Sequence, residues 1–235
     1  MNTSLPFLSA GSYLNTEWRG SRAPWSSKPA GSFITISREA GSGGSSLARL
    51  LARKLNAEAP HDVVWTVFED NLTPTMLKTH HLPIRIARFL PEGRVSEIQS
   101  SIGELIGLHP NLWELVQKTN ETMRDLARRG HVILVGRGAN FATAGIPHGV
   151  HVRLVAPKQH RAKYLTRRYG ISEQEAFVSN AKCDIARHGY VKAYFNADDR
   201  DPLAYDLMIN TARTSLVEAA KLVATQARTQ TPAAW

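Results

Sequence analysis

The chain has 235 residues, a formal net charge of +9 from 29 Lys+Arg against 20 Asp+Glu, and 43% hydrophobic residues. That length favours one domain with room for a small inserted subdomain, and that apolar content suffices for an ordinary core. No apolar run approaches the ~20 residues of a membrane-spanning helix, and the lone Cys183 excludes an internal disulfide, so a cytoplasmic protein with no membrane partner is expected.

Residues 1–31 are rich in Ser, Gly and Pro and read as an irregular arm, on which Trp18 and Trp25 can dock against the body. Their start lacks a basic cluster followed by an apolar stretch, so no secretory signal is expected. The ordered domain is expected over 32–228. It opens on Phe33-Ile34-Thr35-Ile36-Ser37, a short apolar run suited to a buried strand. The glycine loop Gly41-Ser42-Gly43-Gly44 follows. Leu47, Leu50, Leu51 and Leu55 then recur at helical spacing, with a serine where an N-cap belongs.

A second strand is expected around 63–68. Residues 74–108 are helical in character but broken by Pro83, Pro91 and Gly93. Leu112, Leu115, Val116, Met123 and Leu126 mark a helix ending near Gly130. A buried strand over 131–135 runs into Gly136-Arg137-Gly138, and another strand fits 150–155. Helices are expected over 158–169 and 173–194, with 158–200 as a helical lid. A polar loop over 196–203, a strand over 206–210 and a helix over 215–227 complete the chain. Alternating strands and helices predict an α/β fold, a parallel sheet with helices on both faces.

The positive charge is spread, with concentrations at 124–137 and 161–168, and no DNA- or RNA-binding pattern is present. Nucleic acid is therefore not an expected partner, and small phosphate ligands are. The glycine loop is the main chemical signal. Glycines let backbone N–H groups turn around an anion, and the helix N-terminus adds free N–H groups and its positive dipole end. The usual pattern, G-x-x-x-x-G-K-[ST], is departed from twice, with Arg38 at the first glycine and Gly44 at the lysine.

The segment ITISREAGSGGSSLARLLARKL resembles the opening of the cytidylate kinase-like family of P-loop proteins, whose members commonly read I-S-R-x-x-G-S-G-G there. HHLPIRIARFLP, GLHPNLWELVQKT, VILVGRGAN, HVRLVAP and DPLAYDLMINT extend the resemblance, in order, from about 33 to 223. It implies a P-loop NTPase fold and a nucleoside-monophosphate-kinase activity. The γ-phosphoryl group of ATP would pass to a small phosphorylated acceptor such as CMP, with ATP and Mg²⁺ as cofactors and small-molecule nucleotides as partners. The alternative is a non-catalytic nucleotide-binding or sensory module. It is favoured by the missing loop lysine and by a third strand ending Leu134-Val135 without a carboxylate.

In such kinases the chemistry is mainly positioning and charge neutralisation. The resemblance implies that Gly41, Ser42, Gly43, Gly44, Ser45 and Ser46 cradle the donor phosphates, with Ser45 at the hydroxyl position that meets Mg²⁺. Arg38 stands in for the lysine, its alternative being a surface pair with Glu39. Arg137 holds the acceptor phosphate, and Gly138, where the family shows an aspartate, puts cytosine specificity in doubt. Glu69, in a Glu69-Asp70 pair that reverses a family charge, lines the acceptor side with Arg85 and Arg88. Glu39 and Glu69 are both candidate metal carboxylates. Arg161 and Arg168, two helical turns apart, are candidate lid arginines, and Arg187, three residues after Asp184, is another candidate catalytic cation. His80-His81 is not expected to bind zinc. Cys183 reads as a small buried residue, Tyr190 as a packing or surface group, and Asp198-Asp199-Arg200-Asp201 as a solvated connection.

Overall fold

The computed structural model describes residues 31–69, 72–80 and 112–230. The arm over 1–30, Asp70, His81, Arg85 and Arg88 lie outside the described residues.

Five strands, β1 (Phe33–Arg38), β2 (Thr66–Phe68), β3 (Val132–Val135), β4 (Gly149–Val155) and β5 (Leu207–Asn210), form one sheet in the order β2-β3-β1-β4-β5. Every pairing is parallel, with Ile36 opposite Val135 on one side and Val152 on the other. Parallel strands need crossover connections, and the intervening helices supply them. They are α1 (Gly44–Glu58), α2 (Leu72–Thr79), α3 (Leu112–Arg129), α4 (Ala139–Ala142), α5 (Lys158–Tyr169), α6 (Glu173–Phe195) and α7 (Leu216–Thr229). The α/β class read from the sequence is therefore the observed one.

Strand alternation divides the core in two. Ile34 and Ile36 point to one face with Val150, Val152 and Leu154. There Leu47, Leu51 and Leu55 of α1 and an alanine-rich ridge of α7, including Ala219, Ala220 and Ala224, cover them. Small side chains on α7 let the two helices lie close over the sheet. Phe33 points the other way and packs with Phe68, Leu72, Met123 and Leu126. Each such fully buried side chain contributes roughly 1.5–3 kcal/mol. Asn56 of α1 ties β2 in place, donating to Trp65 O at 3.0 Å and accepting from Trp65 N at 2.6 Å.

The helices over 158–169 and 173–195 match the expected ones, and α6 and α7 open on complete capping boxes, Ser172 with Glu175 and Ser215 with Glu218. The second strand is shorter than expected, because residues 60–63 form a turn with Val63 N–H on Pro60 O. No serine caps α1. Its N-cap is Gly43 in a left-handed conformation (φ 94°), which frees both serine hydroxyls for other partners.

Candidate functional site

β1 is central, and the chain, having built β2 and β3 on one side of it, crosses over to build β4 and β5 on the other. Ligands of open α/β sheets bind outside the carboxyl ends of strands at this kind of reversal. The glycine loop sits at that point. Gly41 (φ 77°) is forced by close approach as well as by conformation: a Cβ there would stand 2.7 Å from Arg161 O and 3.0 Å from Asn180 Nδ2. Ser42 closes the loop on itself, its Oγ donating to Glu39 O at 2.7 Å.

Gly44, at the usual lysine position, lies under Arg38. A Cβ at Gly44 would meet Arg38 Cγ at 2.9 Å. The Arg38 guanidinium pairs with Glu69 at 3.9 Å, and Ser45 Oγ donates to the same Glu69 oxygen, Oε1, at 2.5 Å. Ser46 Oγ lies 2.8 Å from Tyr164 Oη of α5. The expected alternative partner of Arg38, Glu39, is instead turned toward α5. Its Oε2 accepts from Ala156 N at 2.9 Å and lies 3.5 Å from Arg161 Nε. Of the two carboxylates left open by the sequence, Glu69 is the one that meets the serine.

Arg137 follows β3 in a left-handed conformation (φ 52°) between two glycines of positive φ, and only 9% of it is exposed. It faces a cleft of about 170 Å³, whose cations are Arg38, Arg137, Lys182 and Arg187. Ile36, Ala139, Tyr190 and Val191 give the cleft an apolar side. Tyr190 packs against Tyr194 and Phe195, as expected, and its side chain also lines this cleft. Cys183 lines the same cleft and is half-buried, since the cleft opens beside it. A second cavity, of about 680 Å³, adds Lys158 and Arg200 and meets the first at Arg38, Arg187 and Asp199.

The two expected lid arginines part company. Arg168 is exposed at the end of α5. Its guanidinium lies 5.6 Å from the Tyr169 ring centroid, and the hydrogen bond to Tyr169 holds it firmly charged, with smaller contributions from Tyr164 and Glu69. Arg161 is not on an open face with it. It is 4% exposed, and its guanidinium is spent on backbone carbonyls and acidic groups: Ala156 O at 3.0 Å, Ala40 O at 2.7 Å and Asp184 Oδ2 at 2.8 Å. Seven residues of helix bring two side chains to one stripe, but α5 runs from the packed glycine loop out into solvent.

The supposed solvated loop is also partly interior. Asp199 is 7% exposed and pairs with buried Arg153 at 2.9 Å, while His188 Nδ1 lies 2.8 Å from its other oxygen. Arg153 donates to Ser37 Oγ at 2.8 Å, and Tyr205 Oη donates to Asp199 O at 2.8 Å. Burial pushes the Tyr205 phenol above its ordinary range. This buried network, joined by His188 of α6, forms a polar floor between the two cavities. Arg153, Asp199, Lys182 and Tyr190 were missed as site groups. Only the polar residues at inward strand positions, Ser37 and Arg153, carried a signal of it.

Among the described residues no helix is long and apolar enough to cross a membrane. A curated cytidylate kinase of Thermococcus kodakarensis is 28% identical over 179 residues, 76% of this chain and 79% of that protein. That of Pyrococcus horikoshii is 30% identical over 108 residues, 46% of this chain, and the match spans about half (54%) of the relative. The crystal structure of an uncharacterized protein from Eubacterium ventriosum superposes with a TM-score of 0.62 at 19% identity, over 86% of this chain and 99% of that one, and so shares the fold. The model of the cytidylate kinase-like family matches residues 33–213, and the chain belongs to that family.

Proposed function

We propose that the protein transfers the γ-phosphoryl group of ATP to a nucleoside monophosphate, with CMP as the first acceptor to try. The observation that carries this reading is the position of Arg38. It lies across Gly44 of the glycine loop, pairs with Glu69, and lines both cavities. A donor phosphate in the loop and an acceptor phosphate in the cleft would then share one guanidinium, whose planar fork suits phosphate oxygens.

In this reading residues 41–46 receive the donor phosphates through backbone N–H groups and the α1 N-terminus. Arg38 takes the place of the missing lysine. Arg137 and Arg187 hold the acceptor phosphate, and Tyr190 with Ile36 offers an apolar side to its base. Exposed Arg168 is the remaining candidate to close over the transferring group. The work is alignment and charge neutralisation, and the acceptor phosphate is itself an anionic nucleophile, so no general base is required. Ser45 Oγ and Glu69 Oε1 are adjacent hard oxygen donors of the kind magnesium takes. Magnesium held there would neutralise charge on the donor phosphates. Arg85 and Arg88 remain candidates for the acceptor side from sequence alone.

The test is a turnover assay with MgATP and CMP, dCMP, UMP or AMP, with Arg137→Ala as control. Turnover of one acceptor, lost in the variant, is expected. Nucleotide binding without turnover of any acceptor would instead favour a binding module, a reading supported by the carboxylates of Glu69 and Asp184 that already face the loop.

A further inference from the structure

Ala40, the residue that leads into the glycine loop, is held from two sides. The Ala40 N–H donates to Asp184 Oδ1 at 2.7 Å, and the Ala40 carbonyl accepts from Arg161 Nη1 at 2.7 Å. The same Nη1 lies 2.8 Å from Asp184 Oδ2. Asp184 belongs to α6 and Arg161 to α5, so both helices close on the loop at this point. Arg161 Nε is anchored in turn on Ala156 O, two residues ahead of α5. One turn before Asp184, Asn180 abuts Gly41.

We propose that Asp184 and Arg161 are positioning residues that hold the loop in its anion-binding form, and that Arg161 cancels the Asp184 charge beside it. The proposal rests on the reading that the glycine loop receives the ATP phosphates. Two physical points support it. A carboxylate bonded to a loop N–H opposes an incoming polyanion unless a cation neutralises it, and only close, buried pairing does so effectively. Arg161 borders the larger cavity, but it is almost wholly buried and commits Nε to Ala156 O and Nη1 to Ala40 O and Asp184, where an arginine finger would keep those groups for the ligand. The α5–α6 hairpin is then a brace docked on the loop.

The test compares Arg161→Met, Asp184→Asn and the double variant by calorimetric titration of MgATP, by KM and kcat, and by hydrogen–deuterium exchange of the 38–44 segment without ligand. Removing Arg161 alone leaves the carboxylate uncompensated, so ATP affinity falls roughly tenfold or more, and KM for ATP rises with it. Asp184→Asn keeps an acceptor for Ala40 and removes the charge, so its loss is smaller. The double variant recovers most of what Arg161→Met loses. Exchange in 38–44 quickens in Arg161→Met, because the Ala40 carbonyl loses its donor.

A fall in kcat at unchanged ATP affinity, with no rescue in the double variant, would overturn the proposal in favour of an arginine finger. If the unaltered protein binds no ATP, the phosphate reading of the loop fails. Exchange then still decides the grip, and an unchanged 38–44 segment in Arg161→Met disproves it.

Discussion

The Arg38 side chain crosses the Cα of Gly44, so closely that a Cβ at Gly44 would stand 2.9 Å from Arg38 Cγ. The missing loop lysine is therefore linked to the presence of an arginine six residues earlier. Gly44→Lys would restore the standard motif in sequence and displace Arg38 in space. We expect kcat/KM to fall on the order of tenfold, the equivalent of about 1.4 kcal/mol. Arg38→Ala combined with Gly44→Lys should do better than Gly44→Lys alone. Steady-state kinetics on the two variants and the unaltered protein decide it, and a gain in the single Gly44→Lys variant would contradict the displacement.

Glu69 binds Ser45 through the oxygen that also faces Arg38. Glu69→Gln keeps a hydrogen-bond acceptor for Ser45 but removes the charge a hard cation requires. The magnesium concentration giving half-maximal turnover should rise roughly tenfold, with melting temperature nearly unchanged. An unaltered magnesium dependence would remove Glu69 from the metal site.

Gly138 stands where the family resemblance calls for an aspartate, and the reason lies in Phe195. A Cβ at Gly138 would be 2.5 Å from Phe195 Cε2, and the Phe195 ring is held by Phe141 and Tyr190. Gly138→Asp should cost about 1–3 kcal/mol through overpacking, lowering the melting midpoint by several degrees without adding selectivity for cytosine. Calorimetry and acceptor profiling test both parts, and a stable variant newly selective for CMP would refute them.

Stability should fall on mild acidification. Burial lowers the pKa of His151, partly offset by Asp206, and burial also lowers that of His131, partly offset by Asp62; the ordinary value is 6.5. His151 Nδ1 lies 2.8 Å from Thr35 Oγ1 beneath the sheet. The folded state thus binds these protons less readily than the unfolded chain. The stabilisation from the neutral rings is full above pH 6.5 and is lost as pH falls from there through the lower, folded-state values. Melting curves from pH 7.5 to 5 should show this loss, and His151→Gln should flatten it. An identical slope in the variant would exclude His151 as its source.

The sequence by itself determined the fold class and most of its elements, because both are written in short-range terms. The apolar run Phe33-Ile34-Thr35-Ile36 and the leucine spacing of α1 each specify local structure within a few residues. It also displayed the glycine loop and Arg137, whose positions follow from strand ends. Tertiary structure alone decided the partnerships. Glu69 rather than Glu39 meets Ser45, Arg161 turns inward while Arg168 stays in solvent, and Asp199 is buried by Arg153. Arg161 and Asp184 are separated from Ala40 by 121 and 144 positions, and no periodicity encodes such pairings. They arise because the sheet order carries β4 to the side of β1, setting α5 and α6 against the loop where their charges must find partners on losing water.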